Sequence, residues 1–193
     1  MATSNIVQGA SCCSCSSDCC GPEPNVRTAK RHVNIDFLYL DLSVCSRCQG
    51  TDENLDAALD EVAAVLKAAG VEVSVNKIQV SNEEQARELR FASSPTIRVN
   101  GRDIQIEVKE SVCDSCGELC GDTVDCRVWV YQGQEYTVPP KAMIVDAILR
   151  EVYGGESGNF TSSSEEFVVP GNLKRFFHAM RQKDSKGGEQ SER

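Results

Sequence analysis

The chain has 193 residues, of which 11 are cysteine, and its 20 Lys and Arg against 29 Asp and Glu give a net charge of −9. A chain of this length buries enough apolar surface to fold without staples, which excludes a disulfide-stapled miniprotein and indicates that the cysteines serve chemistry. The acidic balance argues against a general nucleic-acid binder, because phosphate contacts need a basic face.

No stretch approaches the roughly 18 consecutive apolar residues of a membrane span. Residues 1–10 hold no Lys or Arg and no apolar run typical of a secretory signal. We therefore expect a cytoplasmic protein. Thiols are mostly reduced in that compartment, so cysteine clusters there indicate metal binding or redox turnover more often than structural disulfides. The odd cysteine total also excludes full internal pairing.

The N-terminal tail, residues 1–31, is rich in Ser, Gly and Pro and poor in large apolar residues, so we expect it to be disordered without a ligand. Its five cysteines are Cys12, Cys13, Cys15, Cys19 and Cys20. Thiols this dense on a mobile chain can wrap a thiophilic ion such as Cu(I), Hg(II), Cd(II), Zn(II) or trivalent arsenic. The alternatives are a low-complexity tail without a ligand and a segment that ligates a cluster.

A compact unit is expected at residues 32–153, because apolar residues there follow strand and helix periods. The predicted elements are strand Val33–Leu42, helix Asn54–Ala69, strand Val71–Val80, helix Asn82–Phe91, strands Pro95–Val99 and Asp103–Val108, hairpin strands Arg127–Tyr131 and Glu135–Val138, and helix Lys141–Val152. Asn100-Gly101 is a type I′ turn signal between two of these strands. The alternation predicts an α/β fold with a parallel component and right-handed crossovers.

The boundaries of the first and second helices follow from residues that favour caps and turns. Thr51 or Asp52 is the expected N-cap of the first helix, Gly70 its stop signal, and Ser81 the expected cap of the second helix. Gly50 and Thr51 are expected to separate the preceding CSRC segment from the first helix.

Cys45 and Cys48 form a CxxC between the first strand and that helix. A helix N-terminus stabilises a thiolate, which is the nucleophile in disulfide exchange. We assign attack to Cys45, which lies nearer the strand end and is expected to be the more exposed, and resolution to Cys48, with Arg47 adding positive charge nearby. This redox chemistry requires no cofactor. The alternative is that the pair is half of a zinc site, which has the same spacing.

The strand–CxxC–helix start, the SSPT run at 93–96 before a strand, and the Asn100-Gly101 hairpin resemble the thioredoxin and glutaredoxin superfamily. The resemblance covers about residues 33–106 and the last helix of the unit. It implies a thioredoxin-like fold, β-α-β-α-β-β-α, with a mixed sheet and an insert at residues 109–138 that holds a Cys-rich loop and an extra hairpin.

The same resemblance implies two further site residues and a substrate class. Pro95 would be the cis-proline that faces the CxxC, and Ser94 the residue whose backbone pairs with the substrate. The substrate would be a thiol or disulfide of a protein or a small molecule. The runs VDCRVWVYQGQEYTVPPKAMIVDAIL and VPGNLKRFF also look like a family of small prokaryotic proteins of unknown function, a likeness that carries no reaction.

The insert holds four cysteines, Cys113, Cys116, Cys120 and Cys126, within 14 residues, with glycines that let the loop turn. Four thiolates suit tetrahedral zinc, and sulfur also suits Cu(I) or an iron–sulfur cluster. Zinc sites more often use two short-spaced pairs, so a disulfide, free thiols or a second redox pair that exchanges with the CxxC are the alternatives. We favour a metal-binding or redox-active loop.

The C-terminal part is predicted as a linker at 154–166, an amphipathic helix at 167–183 and a disordered end at 184–193. The apolar residues of the helix recur at i, i+3, i+4 and i+7: Leu173, Phe176, Phe177 and Met180. We favour docking of this helix on its own domain or on a second copy. A groove on a partner protein is the alternative.

Two functions from different classes follow. The first is a thioredoxin-like thiol–disulfide oxidoreductase linked to the handling of a thiophilic metal or metalloid. The alternative is a non-enzymatic protein that binds or delivers Zn, Cu, Hg or As on the same scaffold.

Overall fold

The computed structural model describes residues 31–154 and 166–187. The five tail cysteines, most of the predicted linker and the chain after Gly187 lie outside the described residues. Within the described ranges, seven strands and five helices form a mixed α/β fold. Their bounds are β1 Arg31–Tyr39, α1 Ser46–Ala68, β2 Val71–Gln79, α2 Glu83–Glu88, β3 Thr96–Val99, β4 Arg102–Asp103, β5 Lys109–Val112, α3 Asp114–Cys120, β6 Asp125–Tyr131, β7 Gln134–Tyr136, α4 Lys141–Tyr153 and α5 Gly171–Gly187.

The first sheet of the described part has four strands in the order β2-β1-β3-β4. Strand β1 pairs in parallel with β2 and antiparallel with β3, so that Ile35 lies between Val75 and Val99. The predicted mixed sheet and its parallel component are therefore confirmed. Asn100 and Gly101 both have positive φ, 50° and 78°, which is the turn geometry that their sequence predicts.

One face of this sheet is covered by α1 and α4. Strand β1 places Val33, Ile35 and Phe37 in the buried cluster that includes Leu55 of α1 and Ile144 of α4. Residues two apart on a strand share a face, so the alternation in β1 produces this layer. The opposite face carries Leu38, which belongs to a second buried cluster formed with α2, α3 and α5.

Helix α1 begins directly after Cys45, and the expected break at Gly50 and Thr51 is wrong. Cys45 is the N-cap, and Thr51 lies inside the helix, where its hydroxyl donates to the Arg47 carbonyl at 2.7 Å. Gly50 fits because a Cβ at this position would lie 2.9 Å from a methyl group of Val138. The glycine therefore reflects close packing, and the predicted caps Thr51 and Asp52 are corrected to Cys45.

The insert at 109–138 is more ordered than the sequence predicts. Strand β5 and helix α3 form in the segment that was expected to be a loop, and β5 joins β6 and β7 in a second sheet of the described residues, in the order β5-β6-β7.

Strand β4 ends at Asp103, well short of the predicted Val108, because the Asp103 carboxylate accepts from the Gln105 amide at 3.0 Å. The chain then leaves the first sheet for the second.

Helix α5 packs against its own chain, on α2 and α3. Leu173 and Phe177, both buried, belong to the same cluster as the cysteines of α3. The Asn172 side chain accepts from the Asp125 amide at 3.0 Å and donates to the Asp125 carbonyl at 2.7 Å, which anchors the helix start to β6. Of the two favoured interpretations, docking on its own domain or on a second copy, the structure has the first.

Within residues 31–154 and 166–187, no helix combines the length and the apolar character needed to cross a membrane.

Candidate metal centre

Cys45 lies at the junction between β1 and α1. Its backbone is extended, with φ −74° and ψ 104°, and its Sγ accepts from the Cys48 amide at 3.4 Å. The first amides of a helix have no carbonyl partners in the helix, so a sulfur at the N-cap meets a donor and the positive end of the helix dipole. The expectation that Cys45 is the more exposed thiol of the CxxC is wrong, because Cys45 and Cys48 are both 0% exposed.

A second group of cysteines lies in and around helix α3. Cys113 lies at the N-cap of α3, and its amide donates to the Val124 carbonyl at 2.8 Å. Gly121 ends the helix with a left-handed φ of 77° and lets the chain turn back into β6. That reversal brings Cys126 beside Cys116, with their Sγ atoms 3.5 Å apart.

Four buried cysteines of the described residues, Cys45, Cys113, Cys116 and Cys126, have Sγ atoms that all lie within 4.8 Å of one another. This set is called here the four-thiol centre. The Sγ atoms of Cys45 and Cys113 are 4.0 Å apart. A zinc–sulfur bond of about 2.3 Å gives a tetrahedron whose sulfurs are about 3.8 Å apart. The centre could therefore hold one metal ion with little movement of its ligands.

The same distances distinguish between kinds of metal site. An iron–sulfur cluster places its own irons and sulfides between the cysteine sulfurs, so its ligands lie farther apart than those of a single ion. Sulfurs within 4.8 Å of one another suit a mononuclear site. The chemistry that fits is a single thiophilic ion bound by four sulfurs.

The thiols of the centre share protons unequally. Hydrogen bonding, chiefly with Cys113, lowers the pKa of Cys45 far below the ordinary thiol value. Hydrogen bonding, chiefly with Cys116, lowers the pKa of Cys113 to about 6. The same contacts, first those with Cys113, raise the pKa values of Cys116 and Cys126. A metal ion that binds all four sulfurs must displace the protons that remain, so binding releases protons.

Cys48 lies beside the centre but is not a member of it. Its Sγ is 3.5 Å from the Ser94 hydroxyl oxygen, which also accepts from the Leu40 amide at 3.2 Å. Hydrogen bonding with Cys45 raises the pKa of Cys48. The Ser94–Pro95 peptide bond is cis, and the Ser94 carbonyl accepts from the Arg127 amide at 2.7 Å. Cys45, Cys48 and Ser94 of the predicted catalytic residues thus lie together, and Cys45 is also a member of the four-thiol centre.

Cys120, predicted as a ligand, does not join the four-thiol centre. Its sulfur contacts the carbonyls of Gly117 at 3.9 Å and Asp122 at 3.6 Å. Cys116 and Cys120 are four residues apart on α3, a displacement of about 6 Å along the helix axis, which is more than the distance that separates the sulfurs of the centre. Cys45 takes the place that the sequence assigned to Cys120.

Arg47, which was expected to add positive charge near the CxxC, binds backbone and side-chain oxygens of the insert. Its guanidinium donates to the carbonyls of Val112 at 2.6 Å and Cys126 at 3.1 Å, and to the Ser111 hydroxyl at 3.1 Å. It therefore ties the first turn of α1 to β5 and β6. The Ser115 hydroxyl completes this link, since it lies 3.4 Å from the Ser46 hydroxyl and 3.6 Å from the Cys113 sulfur. Sequence reasoning missed Ser115, which no motif identified.

An open pocket of about 580 Å³ lies against the centre. Cys113 is the member of the centre that lines it, together with the acidic residues Asp114, Glu118 and Asp122. Cys113 itself is 2% exposed, so it borders the pocket with little of its surface.

A family model described as a domain of unknown function (DUF2703) matches residues 33–148, more than half of the chain. The chain belongs to this family. The matched range includes the six cysteines from Cys45 to Cys126 and ends within α4, before α5. Neither the search of curated proteins nor the search of solved structures found a match.

Proposed function

We propose that this protein binds one thiophilic metal ion in the four-thiol centre and serves as a non-enzymatic metal-binding or delivery protein. The observation that carries the proposal is that four buried sulfurs from two distant segments lie within 4.8 Å of one another. Burying several thiolates side by side without a counter-charge is unfavourable, and a bound cation removes that cost. A disulfide joins only two of the four sulfurs, whereas one ion can bind all of them.

The donor set supports an ion that prefers four soft ligands. Zn²⁺ binds four cysteines in a closed tetrahedron when its role is not catalytic, whereas catalytic zinc keeps a position open for water or substrate. The centre supplies four sulfurs from buried residues. They fill all four positions around a tetrahedral ion and leave none for water or substrate. Cd(II), Hg(II) and Cu(I) share the preference for sulfur and are the competitors of zinc.

The test is metal loading of the reduced full-length chain. Cysteine-to-serine changes at all five tail positions isolate the centre from the tail. We expect one Zn²⁺ per chain by elemental analysis, and Co²⁺ in its place should show the sulfur-to-cobalt charge-transfer bands and tetrahedral ligand-field bands of a four-thiolate site. Cys45→Ser should lose this spectrum and Cys120→Ser should keep it. A reduced, folded chain that takes up no metal would overturn the proposal.

A second candidate is the thioredoxin-like thiol–disulfide oxidoreductase. It is supported by the element order from β1 to β4, which follows β-α-β-α-β-β before the insert, and by α4, the helix that follows the insert. The Cys45 sulfur also lies at a helix N-terminus beside Cys48. The burial of both thiols opposes attack on a large substrate. Reduction of insulin disulfides by the wild type, and its loss in Cys45→Ser, would establish this activity.

The cysteine-rich tail is proposed as a capture segment for the same class of ion. A tethered ligand group acts at a high effective concentration near its own domain. Removal of residues 1–24 should then lower the affinity for Cu(I), Hg(II) or As(III) in a competition assay. Unchanged affinities for all of them would remove the capture role.

A further inference from the structure

Cys48 is a buried thiol that the four-thiol centre does not use. It is 0% exposed and lies next to Cys45, whose sulfur accepts from the Cys48 amide at 3.4 Å. Its own Sγ faces the Ser94 hydroxyl at 3.5 Å. Cys45 therefore has two competing uses, as a metal ligand with Cys113 and as a disulfide partner for Cys48.

We propose that the four-thiol centre is a peroxide-sensitive metal site, in which oxidation transfers Cys45 from the ion to a disulfide with Cys48 and releases the ion. The inference rests on the proposed metal binding. Its oxidant class is a small hydroperoxide, with hydrogen peroxide as the probe.

The pocket determines where the oxidant arrives. Cys113 lines a pocket of about 580 Å³, whereas Cys45 and Cys48 are enclosed. Because Cys113 is the member of the centre that borders this open space, we take it as the first sulfur that hydrogen peroxide meets. The Cys113 thiolate attacks one peroxide oxygen, an S–O bond forms, the O–O bond breaks, and the leaving hydroxide takes up a proton as water. The product is a sulfenic acid on Cys113.

Two sulfur exchanges then move the oxidation inward. The Cys45 sulfur, 4.0 Å from that of Cys113, attacks the Cys113 sulfur, an S–S bond forms and the S–O bond breaks. The leaving hydroxide takes the proton of the Cys48 thiol and becomes a second water. The Cys48 thiolate next attacks Cys45, the new S–S bond forms, and Cys113 departs as a thiolate. Two thiols have lost two electrons and peroxide has become two water molecules, so the reaction balances.

The consequence for the ion follows from the donor count. With Cys45 in a disulfide, the sulfurs of Cys113, Cys116 and Cys126 remain, and a four-coordinate ion loses one bond. Reduction of the Cys45–Cys48 disulfide restores the fourth ligand. The CxxC thereby acts as a switch on the metal site and needs no large substrate to reach it.

The test uses the full-length chain with the five tail cysteines replaced by serine, reduced and loaded with Zn²⁺. Hydrogen peroxide is added, zinc release is followed with a chromophoric chelator, and disulfides are mapped by mass spectrometry after alkylation and digestion. We expect loss of the bound zinc together with a Cys45–Cys48 disulfide, and recovery of zinc binding after treatment with a dithiol.

Two variants separate this inference from the proposed function. Cys48→Ser should load zinc like its parent but stop one step earlier, with a Cys45–Cys113 disulfide. Cys120→Ser, which removes a buried thiol outside the centre, should behave like its parent. Failure to load zinc would contradict the metal-binding proposal. Normal loading followed by peroxide-driven release without any Cys45–Cys48 disulfide would overturn the switch alone.

Discussion

The Sγ atoms of Cys45 and Cys113 lie 4.0 Å apart although 68 positions separate them in the chain. Each residue is the N-cap of a helix, α1 for Cys45 and α3 for Cys113. The contact joins the first sheet, through its CxxC, to the inserted second sheet. Two cysteine groups that look separate in the sequence therefore form one site.

Cys45→Ser should abolish four-sulfur coordination, because it removes the sole ligand of the centre that α1 supplies. We expect zinc affinity to fall by more than the roughly 100-fold that loss of an outer-shell partner costs. Competition with a chromophoric chelator measures the affinity. Cys120→Ser is the matched control, since it removes a buried cysteine that is not a member of the centre. Equal zinc affinities for the two variants would contradict the assignment of Cys45.

Arg47→Ala should weaken metal binding although Arg47 is not a ligand. Its guanidinium donates to the carbonyls of Val112 and Cys126, so its loss lets α1 move relative to β5 and β6. We expect zinc affinity to fall by about 10- to 100-fold, the range found for residues that orient ligands.

The control for Arg47 is Arg31→Ala. Arg31 also donates to two backbone carbonyls, those of Val152 and Ala69, at the other end of β1. Zinc affinity should be unchanged in this variant, as measured by the same chelator competition. If both variants lose affinity equally, the effect is general destabilisation and not positioning of the ligands.

Asp103→Ala should destabilise the fold by about 3–5 kcal/mol, because it leaves a buried arginine without its partner. Arg127 is 0% exposed and donates to both carboxylate oxygens of Asp103, at 3.0 and 2.9 Å. Urea unfolding of the chain measures the free energy. Asp146→Ala breaks the exposed pair with Arg150 and should cost less than about 1 kcal/mol. Similar costs for both variants would contradict the burial argument.

Gly50→Ala should lower stability despite the better helix propensity of alanine, which favours the change by about 1 kcal/mol. The added Cβ would lie 2.9 Å from a Val138 methyl group, and such overpacking costs about 1–3 kcal/mol. Thermal unfolding measures the change. Adding Val138→Ala should recover part of the loss, because the smaller side chain makes room. No recovery in the double variant would show that another contact causes the loss.

Much of the first sheet could be predicted locally. The apolar run of β1, the stop at Gly70 and the Asn100-Gly101 turn depend on neighbouring residues, and the structure has each of them. The start of α1 could not be predicted in this way. Gly50 looks like a break, and only its distance from Val138 explains why a glycine lies inside the helix.

The membership of the centre illustrates the same limit. The sequence predicted a four-cysteine site of Cys113, Cys116, Cys120 and Cys126, because these residues lie within 14 positions of one another. The actual fourth sulfur is that of Cys45, at the start of the helix that Arg47 links to carbonyls of β5 and β6.

The sequence by itself determined the acidic balance, the cysteine groups and the α/β alternation. These depend on composition and on contacts within a few residues. Only the tertiary structure decided that Cys45 of the CxxC and three cysteines of the insert form the four-thiol centre, that Cys45 is enclosed, and that Cys48 is left outside. The physical reason is that a metal site is defined by the distances between sulfurs in space, and the packing of the insert on α1 sets those distances.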